Sequence, residues 1–468
     1  MGLDARLAAA AILVLGLCAT VAISWPGHLS YDSIVQLNDG RNGFYHSWHP
    51  PVMAWLLGLG DNLLTGTGLF LAFDATLGFA ALFAILWLGP VRSWSAVVAA
   101  LVLVALPQLV LYQAIVWKDV LFADAAVAAF VALAFAEAQW KHTARRLLWL
   151  ALAAAFLVLV VLARQNGAVL IPFAAVATAT PAWRNKGRRM GLAYGAGLIA
   201  IVAALSLAAA AAFDKHSDHG QGPRAQLMVL RLYDLIGALK HEPAMPLARL
   251  DEDAPELARL MRSDGIRLYT PQRNDTLVGS QALQDELGDV PPELLAAQWD
   301  DLILHRPWLY LRTRASVFAW VFFTPDLSAC RPVFTGIEGP AGEMQDLGLS
   351  PRMDGRDRAL AAYAKTFQGT PAFSHAAFAL IGLLAALVLF KRKRPGDTAL
   401  AWLVLGALGF AASFFAIAIA CDYRYLYALD LAALAAVFAV ACDPGYLFQV
   451  VAMWLGSFWL ARSEARKS

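Results

Sequence analysis

The sequence predicts an all-α polytopic membrane protein, and three observations carry that prediction. Of 468 residues, 59% are hydrophobic and 15% charged, against roughly 45–50% apolar and about 25% charged in an ordinary soluble domain. Apolar runs of about twenty residues recur, each long enough as a helix to cross a hydrocarbon core about 30 Å thick. Lys and Arg gather in connections on alternate ends of those runs, as charges retained on the cytoplasmic side do. A purely soluble fold is excluded. A net charge of +2 offers no basic face large enough for nucleic acid. The four cysteines, Cys18, Cys330, Cys421 and Cys442, lack CxxC spacing, so they suggest no zinc site, redox motif or disulfide framework.

The first run, 7–25, follows only Asp4 and Arg6. That weak positive region, with so many spans after it, favours a retained helix over a signal peptide cleaved near Ala22. Further runs fall at 66–88, 95–113, 119–137, 147–163, 167–182 and 190–213, and three more at 373–390, 398–420 and 425–442, about ten spans in all. With the N-terminus inside, the basic clusters 141–146, 184–189 and 391–394 and the tail 462–467 are cytoplasmic. The outward connections are then 26–65, 112–118, 164–166, 214–372 and 421–424. Cys330 and Cys421 both fall on that outer side, where the topology permits a disulfide, though the sequence supplies no geometry for one. The resulting organisation is a module of about seven transmembrane helices over 1–213, an outer subdomain over 214–372, three transmembrane helices over 373–442, and a cytoplasmic segment over 443–468. In that last segment, 446–460 reads as an inner-surface or re-entrant helix ahead of the basic tail.

Segment 305–325 carries Arg312 and Arg314 mid-run. Counting it as a span would put 391–394 outside, so it reads as an amphipathic helix on the outer surface, with Trp308 and Tyr310 at headgroup level. The subdomain around it holds 22 of the 35 acidic and 17 of the 37 basic residues. It can form a water-exposed, mainly helical body from stretches such as 225–239 and 292–304. No repeat of 20–50 residues is visible, and seven spans before the subdomain against three after it give no sign of equal halves, which weakens a transporter reading.

Asp32, Asp39, Asp61, Asp74, Asp119, Asp124, Asp422 and Asp430 fall in outer loops or at outer helix ends, whereas acids along an ion pathway belong near mid-bilayer. Any chemistry is expected on this outer shelf. The first outer loop is the richest part of it: Tyr31 and Asp32 open a short amphipathic stretch, and the cluster 46–51 opens the next helix. Pro50 and Pro51 suit a helix start, since their missing amides need no partner there, and they hold His49 at the end of the loop.

An acid in the first outer loop followed by His-Pro-Pro at the next helix resembles the GT-C superfamily of integral membrane glycosyltransferases, and within it the protein O-mannosyltransferase and lipid A aminoarabinose transferase branch. The resemblance covers the first seven spans in arrangement and rests in residues mainly on Asp32 and His49-Pro50-Pro51. It departs at 31–33, where Tyr-Asp-Ser stands in place of the mannosyltransferases' Asp-Glu pair. It implies a GT-C-like fold and a sugar donor carried on a polyprenyl phosphate. Transfer from such a donor to a hydroxyl requires a base beside the acceptor oxygen and cations for the departing phosphate. Asp32 is the candidate base. Lys118, Arg164 and Arg424, each at an outer helix end, are candidates for the lipid phosphate. Tyr31, His49 and Asp119 are candidates for binding the substrates, Asp119 standing where the resembling transferases often place another acid. Asp119 could also join Asp32 on a divalent cation; the reading requires no cofactor, does not favour a metal and leaves metal ligands unknown.

Plainer readings stand beside these. Asp32 can cap its helix, His49 can cap the next one or pair with a carboxylate, and Lys118 with Asp119 can be a local ion pair. Arg164 and Arg424 can neutralise Asp74, Asp124 or Asp430. His28 and His46 read as solvated or interfacial. Trp25, Trp48 and Trp55 read as a headgroup belt or a sugar platform, and Tyr423, Tyr425 and Tyr427 as interface aromatics. The function expected is a hexosyl- or pentosyltransferase of a bacterial inner membrane, moving a sugar from a polyprenyl-phosphate donor to an envelope glycan, lipid or protein at the periplasmic face, among membrane lipids and without nucleic acid. The alternatives are a polysaccharide ligase or polymerase, in which outer-loop arginines and histidines lead and Asp32 is dispensable, and a transporter or lipid-translocating protein gated by the outer acids.

Overall fold

Inside a bilayer an apolar backbone finds no water to bond, so each long run of Ala, Leu, Val and Phe closes its own hydrogen bonds as a helix. The computed structural model describes residues 2–447. Among them, backbone pairing outside helices is confined to isolated bridges. The N-terminal half contains α1 (Gly2–Ser24), α2 (Tyr31–Asn42), α3 (Pro51–Leu63), α4 (Gly68–Ile85), α5 (Ser95–Ala105), α6 (Lys118–Ala138), α7 (Thr143–Ala163), α8 (Ile171–Lys186) and α9 (Arg188–Asp214). The larger helices of the following segment are α10 (Gln221–His241), α11 (Pro292–His305), α12 (Pro307–Phe323) and α13 (Gly355–Lys365), where 225–239 and 292–304 were expected to be helical. The chain returns through α14 (His375–Arg392), α15 (Asp397–Ile417) and α16 (Tyr427–Cys442).

Among the described residues, eight helices are long and apolar enough to span a bilayer, and a ninth is added if a bent pair forms one span. The chain is an integral membrane protein. The bend, 57° between α5 and Pro107–Ala114, follows from proline: Leu106 is extended at ψ 145°, as the residue before Pro prefers. The remaining predicted run, 167–182, forms a 3₁₀ turn (Gly167–Leu170) and the 16-residue α8 with Pro181 inside it, below ordinary spanning length. Of the stretch 446–460, only residues 446 and 447 lie among the described residues; the rest of that stretch and the basic tail lie outside them.

Helices α6 and α16 occupy the centre, with 94% of the α6 window and 83% of the Tyr423–Cys442 window buried. Their alanines let neighbouring backbones approach closely. By contrast α9, 17% buried, and α1, 28% buried, lie at the periphery. The connections sort into two ends. At one, segment 28–29 is held between 114–116 and 336–338 (His28 N–H to Ala114 O 3.0 Å, Leu29 N–H to Gly336 O 2.9 Å), and Tyr45 N–H reaches His216 O at 2.8 Å. At the other, Arg6 bonds Gly89 O, Arg92 N–H bonds Cys442 O, and Arg184 pairs with Glu137.

Helix α12 packs on α10, α11 and α15, and it corrects the surface-helix expectation in one respect. Arg314 does not reach out to water: it is fully buried against Asp234 at 2.8 Å, and its remaining N–H groups donate to Phe415 O (2.7 Å) and Ala418 O (2.9 Å). Those carbonyls end α15 and have no partner within the helix. Trp308 is exposed, whereas Tyr310 packs edge-on against Trp299. The expectation of no disulfide framework is also corrected, since Cys330 and Cys421 are joined, Cα atoms 5.0 Å apart.

Candidate active site

The site is built where α2 begins. Trp117 donates its indole N–H to Ser30 Oγ (2.8 Å), Ser33 donates its hydroxyl to Val116 O (2.7 Å), and Ser30 N–H meets Ser33 Oγ (3.2 Å). Ser30 is therefore the N-cap, and Asp32, in the first turn, is left free to point elsewhere. Its carboxylate accepts from Arg424 Nη2 at 2.6 Å. Helix α2 lies directly on α3: a Cβ at Gly40 would stand 2.1 Å from Ala54 O, and one at Gly58 2.3 Å from Gly40 O. The two glycines set the approach that brings His49, just before α3, to 3.8 Å from Asp32.

The other predicted residues join the same network. Lys118, first residue of α6, donates to His49 Nδ1 at 3.0 Å. Asp119 forms an ion pair with Arg164 at the end of α7 and lies 3.9 Å from Arg424. Arg424 also reaches Asp422 at 3.4 Å and stacks over the Trp117 ring at 4.8 Å, while Arg164 lies over Phe414 at 5.2 Å. The expected convergence of Lys118, Arg164 and Arg424 is present. Their partners differ from the expected ones, because Asp74 pairs with Asp124 and Asp430 takes His375 and Tyr423, both at 2.8 Å. Tyr423 and Tyr427 are buried rather than interfacial, their hydroxyls donating to Asp430 and to Gln108 O.

Burial alone would raise the Asp32 pKa, but the Arg424 guanidinium, through its charge and its hydrogen bond, with Lys118 behind it, holds the carboxyl below the usual carboxylate range. Burial, reinforced by Lys118, lowers His49 to about 3, so it is a neutral acceptor for the lysine. Burial also lowers Arg164 to about 10. His28, expected at the solvent boundary, is buried, because its Nδ1 accepts from Gly336 N–H at 3.0 Å. His46 is held by Asp39 at 2.7 Å with an exposed ring edge.

A cavity of about 720 Å³ opens on this network. Tyr31, Asp32 and Arg424 line it, whereas His49, Lys118, Asp119 and Arg164 stand behind its wall. Sequence reasoning passed over Trp117 and Asp422 as site residues, although both neighbour chosen ones, and it passed over the far wall altogether. That wall comes from 328–339 and from residues such as Ala361 and Gln368 in and after α13, placed by the 28–29/336–338 pairing and by the disulfide. Asp32 and Asp119 are each closed off by an arginine, and no group of three or more His, Cys, Asp or Glu among the described residues is placed to hold a metal ion.

Fold and site together define an all-α integral membrane protein with a charged cavity at one end of its bundle. No protein-family model matches the chain, and no curated protein does. Among solved structures it is similar to the archaeal oligosaccharyltransferase AglB from Archaeoglobus fulgidus in complex with an inhibitory peptide and a dolichol-phosphate, at 16% identity and a TM-score of 0.41, over 94% of this chain and 51% of that one. The Archaeoglobus fulgidus oligosaccharyltransferase tethered with an acceptor peptide containing the NVT sequon aligns at 16% identity and 0.41, over 92% and 49%. The same enzyme complexed with Zn and sulfate aligns at 16% and 0.39, over 95% and 51%. The chain spans about half the length of these proteins.

Proposed function

We propose that the chain is a membrane glycosyltransferase of GT-C type that takes a sugar from a polyprenyl-phosphate donor and passes it to an envelope acceptor at the cavity end, the periplasmic face of a bacterial inner membrane. The O-mannosyltransferase or aminoarabinose transferase branch belongs to this proposal. One observation carries it: a carboxylate and a guanidinium, Asp32 and Arg424, share the wall of a sugar-sized polar cavity at the level where spanning helices end.

In the resting site Arg424 occupies Asp32. A donor phosphate is the stronger partner for a guanidinium and takes its place, freeing Asp32 and letting its pKa rise. Asp32 then accepts the proton of the acceptor hydroxyl as that oxygen bonds to the anomeric carbon. The bond from that carbon to the phosphate oxygen breaks, and its electron pair leaves with the lipid phosphate, held by Arg424 and backed by Lys118. Tyr31, exposed at the cavity, offers an aromatic face to the sugar, while Trp117 backs Arg424 and His49 keeps Lys118 positioned.

The test uses purified protein in nanodiscs with a panel of radiolabelled polyprenyl-phosphate sugars and crude envelope acceptor, native beside Asp32→Asn. Loss of label from one donor with the native protein alone is the expected result. Equal donor consumption by both would overturn the role of Asp32 and favour a ligase. Consumption by neither, with folding retained, would overturn the transferase reading.

A further inference from the structure

At the opposite, basic end a second cleft of about 340 Å³ opens between the α4–α5 loop, the ends of α14 and α16, and the start of α15. Its walls are of two kinds. Ile85, Leu88 and Leu400 make an apolar floor, and Arg92, Arg392 and Arg394 make a cationic rim. Among the described residues that line the cleft, Asp397 and Asp443 are the acids that face that rim. Arg392 grips Asp397 through two hydrogen bonds, 2.8 and 2.6 Å, and Arg394 pairs with Asp443. Arg92 reaches the already occupied Asp443 at 3.7 Å, with its own side chain mostly exposed. Three guanidinium groups thus share two carboxylates. Arg6 adds a fourth cation beside the cleft: its Nη2 donates to Gly89 O at 2.8 Å, and its Nε is buried without a hydrogen-bond partner among the described residues. Burial, with Arg392 and Arg92 as neighbours, pushes the Arg394 pKa down, against the opposing pull of Asp397.

A basic rim over an apolar floor, between helix ends on the side where Lys and Arg accumulate, matches a phosphate carried on an acyl chain. A free phosphate satisfies the rim and leaves the floor unused; a zwitterionic lipid satisfies the floor and brings its own cation to the rim. We propose that this cleft binds the phosphodiester of an anionic glycerophospholipid on Arg92 and Arg394, with the start of an acyl chain against Leu88 and Pro90. This lipid site is separate from the donor cavity and independent of the transferase reading.

The test is lipid binding to the full chain in detergent, read by native mass spectrometry and by thermal unfolding. The probes are phosphatidylglycerol, phosphatidylcholine and inorganic phosphate. Arg92→Gln/Arg394→Gln is the main variant; Arg392 is left intact because it also bonds Ala439 O and Asp443 O. Native protein should retain phosphatidylglycerol and gain thermal stability from it, with at least tenfold weaker retention of phosphatidylcholine and no effect of millimolar phosphate. The double variant should lose at least tenfold in phosphatidylglycerol retention and gain no thermal stability from that lipid. Its own unfolding temperature in lipid-free detergent is the reference, since the double change also takes both guanidinium partners from Asp443. If the double variant does not fold, Arg92→Gln alone should lose severalfold. Undiminished phosphatidylglycerol binding by the variant would overturn the site, equal retention of phosphatidylcholine would reduce it to apolar contact, and equal stabilisation by inorganic phosphate would make it a free-anion site.

Discussion

Asp32 is a base that the resting protein keeps neutralised. With Arg424 at 2.6 Å it has little affinity for a proton, so its proposed role depends on Arg424 being drawn away by another anion. Asp32→Asn should lower sugar transfer by about 10²–10⁴-fold, the range of general-base contributions, and Arg424→Gln by roughly 10²–10³-fold through the lost phosphate stabilisation, both read as kcat/KM with labelled donor. The buried histidines set an acid limit. His28 is lowered to about 4, chiefly by burial, and His49 to about 3, against about 6.5 in an unfolded chain. As pH falls from 6.5 toward 4, the unfolded state gains these protons and the native state does not, so stability falls, by at most about 1.4 kcal/mol per pKa unit for each histidine. Thermal unfolding should show that decline, and His28→Asn should flatten it; an unchanged slope would contradict the burial account. Asp32 and His49 were readable in the sequence because an acid and a His-Pro-Pro element are local patterns. The ion-pair partners were not: whether Arg164 meets Asp74 or Asp119 depends on how α4, α6 and α7 are rotated against one another, which no local pattern encodes.

Among the elements, α2 is the one that presents Asp32, and its seat on α3 depends on Gly40 and Gly58. A methyl group at Gly58 would meet backbone at 2.3 Å, and backbone cannot rotate aside as a side chain can. Gly58→Ala should therefore destabilise by about 1–3 kcal/mol, as overpacking does, and lower transfer at least tenfold by shifting α2 and carrying Asp32 out of its place in the cavity wall. Native stability with native activity would show that the helices are not held this way. The clamp on the end of α15 is a second such joint. Asp234→Ala leaves Arg314 buried without its counter-charge and should cost about 3–5 kcal/mol, measured by denaturation in detergent. Spanning helices were readable from run length and charge alternation. The exceptions have physical causes: Pro107 bends one run, Pro181 and a 3₁₀ turn shorten another, and Arg314 was taken for a surface charge because a sequence shows the charge and not the Asp234 that meets it.

For the whole molecule, the helix bundle and the segment between α9 and α14 make one cavity between them. Segment 328–339 carries no motif, and only the pairing with 28–29 and the Cys330–Cys421 link bring it opposite Asp32, which is why one wall of the site was readable and the other was not. Orientation is the expectation that follows at this scale. In intact bacterial cells, a cysteine placed at Glu338 in a Cys18→Ala background should react with a membrane-impermeant thiol reagent and one at Lys393 should not; the reverse pattern would put the cavity in the cytoplasm. The exchange of Asp32 for a phosphate on Arg424 is tested most directly by the affinity of the protein in nanodiscs for undecaprenyl phosphate, native beside Asp32→Asn. Removing the carboxylate should take from Arg424 its nearest partner, so the variant should bind the lipid phosphate about tenfold tighter while transferring sugar at least about 10²-fold more slowly. Binding no tighter than native, or transfer at the native rate, would contradict it.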